Sequence, residues 1–297
     1  VILDGYLQFF TGSNLIGLER PNEFRLTGFF DEERILGSYV ARLTPLILAF
    51  YIYNNYSSKT KIIFLYLFLI LADVIVYFSG ERTSFFLISL ATFLFLISVS
   101  SYRKIRLIAF LSSIIIIIST NFFFPNVKDR MIDRALDSSK IFSEEPVVIF
   151  TDSHQSLYLT GFKIFKDNKF LGSGPKSFRI ECQNYSDEVQ GCNTHPHNTY
   201  IQLLSETGFI GFIVIFSFFL IICFKLLKHC FLVNFNQKKY KIDKNEDYII
   251  CLLIPIFLSL WPLSPSFNFF NNYISIIYFL PIGFLLHATN AFDFKDK

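Results

Sequence analysis

The sequence predicts an all-α membrane protein: a polytopic helix bundle of about seven transmembrane helices, with one large extracytoplasmic loop carrying short amphipathic helices. Three observations carry that expectation. Of 297 residues, 52% are hydrophobic and 39 are Phe. The mean hydropathy is positive, and the apolar residues come in long blocks instead of the alternation of a soluble domain. Between the fourth and fifth blocks, residues 125–198 are too charged to span a bilayer and too rich in aromatic residues for a bare linker. A net charge of +3, with Lys and Arg dispersed among apolar blocks, argues against a nucleic-acid-binding protein.

Each element has its own signal. Residues 1–35, with several glycines and the charges Glu19, Arg20, Glu23, Arg25, Asp31, Glu32, Glu33 and Arg34, read as an extramembrane loop. The spans follow at about Leu36 to Tyr53, Ile62 to Phe78, Ser84 to Val99 and Leu107 to Phe124. Arg42 lies inside the first and Asp73 inside the second, where ionisable groups are rare and either functional or paired. Within 125–198, Asn126 to Lys140 and Ser153 to Asn168 have the pattern of amphipathic surface helices, and Phe170-Leu171-Gly172-Ser173-Gly174-Pro175 is a turn by composition. The last three spans are about Phe209 to Leu226, Tyr248 to Trp261 and Tyr273 to His287. All of 1–297 reads as a single membrane domain; because it opens at Val1 without a signal peptide, an N-terminal part is expected to precede it.

Orientation comes from short loops. Lys59 and Lys61, the patch Arg103, Lys104 and Arg106, and the basic stretch after Leu226 all fall on one side, which the positive-inside rule assigns to the cytoplasm. The long loop then faces outward. Its cysteines, Cys182 and Cys192, sit in an oxidising exterior, which favours a disulfide over two free thiols.

The chain is organised around Cys192-Asn193-Thr194-His195-Pro196-His197-Asn198, which runs through Gln202 and Glu206 to Gly208. Pro196 suggests a helix beginning near His195, with His197 in its first turn, where the dipole disfavours an imidazolium and leaves a neutral base. Asn198, Gln202 and Glu206 recur at i, i+4 as one polar stripe. Gly208 and Gly211 allow close backbone packing where the membrane segment starts.

This stretch resembles the histidine signature of the bacterial O-antigen ligase/polymerase family. The likeness extends in order to Leu171-Gly172-Ser173-Gly174-Pro175, to Ser79-Gly80-Glu81-Arg82-Thr83, and to Arg25-Leu26-Thr27-Gly28-Phe29-Phe30 with Gly37-Ser38-Tyr39. It implies an integral membrane protein of the bacterial inner membrane, here in its C-terminal portion. It further implies an inverting, metal-independent glycosyltransferase with no cofactor. The expected donor is a glycan on undecaprenyl diphosphate, and the expected acceptor is a saccharide hydroxyl of a lipid-linked glycan or the lipid A core, at the periplasmic face. His197 and Arg82 are the catalytic residues it implies, with membrane lipid as the surroundings and no nucleic acid. The chemistry suits those residue types, since guanidinium groups grip phosphate oxygens in bidentate fashion and a neutral imidazole can accept a hydroxyl proton. Arg25, Arg179, His195, Asn198 and Glu206 are further candidates for substrate contact; His195 either helps or only shapes the turn, and Glu206 has Gln202 or an arginine as its simplest partner. A zinc site from the two histidines and two cysteines is disfavoured, because the family needs no metal and an exterior disulfide uses the thiols. The alternative of another class is a transporter or flippase of a lipid-linked glycan, which predicts broken helices in related halves; no repeat is visible.

Overall fold

The computed structural model describes residues 1–139, 150–185, 191–235 and 244–289. Among these every regular element is helical, and packing divides the chain into two compact units. The first comprises residues 1–137, 226–258 and 281–297; the second comprises 138–225 and 259–280.

The first unit begins with a helix where a loop was expected: α1, Ile2–Thr11. Counting glycines and charges over thirty-five residues masks the apolar run Ile2 to Phe10, whose Phe9 stacks on Phe78 with ring centroids 4.3 Å apart. Asp4 and Gln8, one turn apart, point inward and hold the following loop. Gln8 Oε1 accepts from the N–H groups of Thr27 (3.0 Å) and Gly28 (2.8 Å), and Asp4 Oδ1 from Leu15 N (3.0 Å).

Four helices follow: α2 (Leu36–Asn54), α3 (Lys59–Phe78), α4 (Arg82–Ser98) and α5 (Arg103–Phe123). Their positions agree with the apolar blocks because the hydropathy that marks a block also favours its burial or contact with lipid. By length and composition, α2, α3, α5 and a later helix are able to cross a bilayer, whereas α4 is shorter.

Of the two ionisable residues inside the spans, Asp73 is paired, with a partner that the sequence did not single out. Asp73 on α3 does not meet Arg42. Its partner is Arg106 on α5, two nitrogens of which donate to its two oxygens at 2.8 and 2.9 Å. Thr92 Oγ1 accepts from the same guanidinium and Ser113 Oγ donates to Asp73. Arg106 therefore does not belong to an exposed basic patch: it lies about one turn inside α5 and only 1% of it is exposed. Arg42 instead bonds the carbonyl and hydroxyl of Ser38 on its own helix.

At one end of this unit, Asp247 accepts from the backbone N–H groups and hydroxyls of both Ser100 and Ser101. Lys244 reaches Asn55 Oδ1 there, and Tyr102 reaches the carbonyls of Tyr51 and Tyr56. The short loops that the charge pattern put on one side thus converge in space. Lys238, Lys239 and Lys241 lie outside the described residues.

In the second unit, α6 (Asp152–Asp167) and the short α7 (Phe178–Glu181) share a core of Leu157, Ile164, Phe178 and Cys182. The long helix α8, Thr199–Phe235, is broken at Gly208, whose φ of 64° and ψ of −165° separate a polar first part from an apolar remainder. It leaves this unit near Lys225. Two more helices, α9 (Lys244–Ser259) and α10 (Asn272–Ala288), are 16 and 17 residues long and contain Pro255 and Pro281. A helical stretch at Pro125–Ser139 precedes the segment 140–149, so the expected surface helix to Lys140 ends at the limit of the described residues.

Candidate functional site

Two clusters of chemically active side chains stand out, one in each unit. In the first unit, the cluster forms around the turn Ser79-Gly80-Glu81-Arg82 between α3 and α4. Gly80 has a φ of 72°, and a Cβ on it would lie 2.0 Å from the Phe24 carbonyl oxygen, so only glycine lets the segment 24–26 press against the turn. Leu26 N then bonds Ser79 O, which carries Arg25 to the same place. Glu81 is buried and caps α2: its two oxygens accept from Gly37 N at 2.7 Å and Ser38 N at 3.1 Å, while Ser84 Oγ donates at 2.7 Å. Gly37 is needed because a Cβ there would meet Ser79 Oγ at 2.4 Å. Burial pushes the Glu81 carboxyl above its ordinary value, opposed by those bonds and by Arg25.

Around this frame the arginines crowd. Arg130 Nε donates to Gly80 O at 3.3 Å, and Arg82 donates to the Arg134 carbonyl at 3.1 Å. Arg134 is paired with Asp129 and lies over the Phe24 ring. The Arg130 guanidinium is pushed down to about 10 by burial, helped by the charges of Arg25, Arg82, Arg134 and Arg34. Arg25 is lowered too, first by burial and then by Arg34 and Arg82, against the pull of Glu81. Cations held this close to one another favour an anion between them. Sequence reasoning named Arg25 and Arg82 and missed Arg130, Arg134 and Arg34. The signal was Arg130 and Arg134 at i, i+4 just past a membrane span, one face of a surface helix.

In the second unit, the cluster lies between α7 and α8. Cys182 and Cys192 are joined by a disulfide, Cα atoms 5.1 Å apart, and Gly191 presses on the backbone of α6 so closely that a Cβ would lie 2.3 Å from Ser156 O. The turn 193–198 follows. The helix does not begin near His195: it begins at Thr199, and Asn198 is its cap, with Oδ1 accepting from Tyr200 N (3.0 Å) and Ile201 N (3.2 Å). Asn is a stronger stop signal for the start of a helix than a proline two residues earlier, and that is why the boundary shifts.

His197 therefore lies outside the first helical turn, in left-handed backbone with a φ of 55°. A non-glycine residue there is uncommon and is held by its surroundings. Ser266 N donates to the His197 carbonyl at 2.9 Å, Asn198 Nδ2 to Pro262 O at 2.9 Å, and Thr199 to Ser266 Oγ at 2.9 Å. The segment 260–269, which sequence reading treated only as the end of a span, thus braces the histidine turn. The His197 ring lies 4.1 Å from that of the buried His195, and its Nε2 is 3.3 Å from Asn193 Nδ2. An amide nitrogen is a donor, so this contact suits the tautomer of His197 whose lone pair is on Nε2. Burial lowers the proton affinity of His197, with His154 next in effect; His195 is pushed down to about 4 by burial, then by His197 and Arg179. Desolvation and neighbouring imidazoles, rather than a helix dipole, keep these rings neutral.

Gln202 and Glu206 continue the polar stripe and bond to each other at 3.0 Å. Glu206 is fully buried and accepts from Lys176 N and Phe178 N, so it caps α7. The turn 170–174 is tied to α8 by Ser173 N to Ser205 O, Gly174 N to Glu206 O and Phe209 N to Lys169 O. Gly172 and Gly208 make that approach possible: each has positive φ, and a Cβ on either would lie 2.3 Å from backbone of the other segment. Arg179 is exposed on α7 and acts on His195 and Glu206 through its charge. His154 on α6, its ring 5.8 Å from that of His197, belongs to the cluster and was missed, because nothing in the local sequence links residue 154 to the turn.

A family model described as O-antigen ligase matches residues 38–216, more than half of the chain. No curated protein matches it.

Proposed function

The chain belongs to the O-antigen ligase family, and from that premise we propose that it transfers a glycan from undecaprenyl diphosphate to a saccharide hydroxyl at the periplasmic face of the bacterial inner membrane. Family membership indicates a membrane glycosyltransferase acting on a lipid-linked glycan. The acceptor is the lipid A core for a ligase or another lipid-linked glycan for a polymerase.

The observation that carries the proposal is the crowding of Arg25, Arg34, Arg82, Arg130 and Arg134 around one glycine turn, close enough that the charges of their neighbours lower the proton affinity of Arg25 and Arg130. Such a cluster suits a diphosphate leaving group. The anomeric carbon–oxygen bond to the diphosphate breaks, and its electron pair stays on the leaving group, opposite the guanidinium groups. The acceptor oxygen forms the new glycosidic bond and gives its proton to Nε2 of His197. One displacement inverts the anomeric centre and needs no metal. Arg82 grips the diphosphate, assisted by Arg25 and Arg130; His195 and Asn198 hold the turn that aims His197. An apolar cavity of about 610 Å³ in the first unit, lined by Tyr39, Leu43 and Ile47 of α2 and Phe64, Leu67 and Leu71 of α3, supports a lipid-borne donor.

The test is reconstitution with a lipid diphosphate glycan, offering either the same glycan or a lipid A core as acceptor. His197→Ala is expected to abolish transfer while the protein still inserts and donor accumulates. Arg82→Lys should lose about tenfold or more, because an ammonium cannot reproduce the bidentate fork. Normal transfer by the alanine variant would sink the base assignment.

A further inference from the structure

His154 is outside the histidine signature, yet it faces it. It occupies the first turn of α6, and its Nδ1 is 2.7 Å from Thr151 Oγ1, on the residue that precedes the helix. Its ring stands edge-on to His197, centroids 5.8 Å apart and planes 86° apart, and lies 6.3 Å from that of Tyr158. With His195 and His197 at 4.1 Å, three imidazoles form a row in which the first is buried and the other two are half-buried.

We infer that His154 is a positioning residue of this site: it holds the His197 ring edge-on and, as a like-charged neighbour, limits the row to one proton at a time. The inference rests on the reading of His197 as the base. Two imidazolium rings at this spacing repel, so a proton on one disfavours a proton on the next, and the row titrates as a coupled set. Burial lowers His154 as well, and the His154 charge is the second cause lowering His197. The other groups facing the row are His195 on the same turn as His197, Tyr158 on α6, whose ring lies by His154, the Ser266 backbone, which favours protonated His195 and His197, and Arg179, which acts on His195. In turnover, the proton taken from the acceptor hydroxyl rests on His197 and leaves to solvent. His154 makes and breaks no bond; it holds the neighbouring ring and, when it is itself protonated, disfavours a proton on His197.

The sign can be tested in both directions with the purified full chain, by the pH profile of transfer. Deactivation at low pH follows protonation of His197. His154→Gln removes the charge while its amide can still bond Thr151, so the acid limb should move up by about half a pH unit, toward the ordinary imidazole value of about 6.5. His154→Lys fixes a positive charge there and should move the limb down. Limb position does not depend on how much enzyme folds, so a poorly expressed variant still reports. Loss of rate at every pH with an unmoved limb in both variants overturns the inference. A wild-type profile without an acid limb, or an active His197→Ala, overturns the base reading underneath it.

Discussion

The arginine turn of the first unit and the histidine turn of the second are built with the same device and present opposite chemistry. In each, a glycine with positive φ, Gly80 or Gly208, lets two backbones touch. In each, a buried glutamate two residues at most from that glycine, Glu81 or Glu206, accepts two backbone N–H groups at the start of another helix. The frames differ in what they hold out. Around Glu81, guanidinium groups crowd until burial and their neighbours' charges lower Arg25 and Arg130, a setting for an anion. Around the 193–198 turn, imidazoles are desolvated until they are neutral, a setting for a proton acceptor. Both buried carboxylates turn their oxygens to backbone N–H groups, and the groups gathered around them are guanidinium side chains in one unit and imidazoles in the other.

The comparison breaks most visibly at the glycines. Gly80→Ala and Gly208→Ala combine a disfavoured φ with a Cβ inside 2.4 Å of backbone, so each should cost about 3 kcal/mol or more and abolish folding of its own unit. Yields of folded, detergent-stable protein check this; wild-type yields from either variant would show that the close approach is not required. The glutamates come next. Glu81→Ala and Glu206→Ala each leave two N–H groups unpaired, at about 1–3 kcal/mol per group. Hydrogen exchange should then rise at Gly37 and Ser38 in the first variant and at Lys176 and Phe178 in the second. Exchange rising at both places in one variant would mean that the two frames are not separate. The smallest effect sharpens the comparison, because only the histidine turn has a covalent staple. Cys182→Ser should destabilise it by about 2–3 kcal/mol. Thermal unfolding and transfer activity should fall together, while exchange at Gly37 and Ser38 stays unchanged.

How much of this could be read in advance depended on the range of the interaction. The ends of α2 to α5 and the polar-to-apolar change at Gly208 were legible, since hydropathy and backbone preference act over a few residues. Helix α1 was hidden by charges that lie beyond it, and the start of α8 was misplaced because Pro196 was weighed above the capping side chain of Asn198.

By itself the sequence determined an all-helical membrane protein, the order of its apolar blocks, and the two motifs that carry Arg82 and His197. Tertiary structure alone decided the partners. Glu81 caps a helix 44 residues earlier, Asp73 meets Arg106 rather than Arg42 across 33 residues, and His154 stands beside His197. The physical reason is that a membrane helix announces itself by composition, whereas a buried polar group must be satisfied by whichever partner packing brings near, and no local pattern encodes that choice.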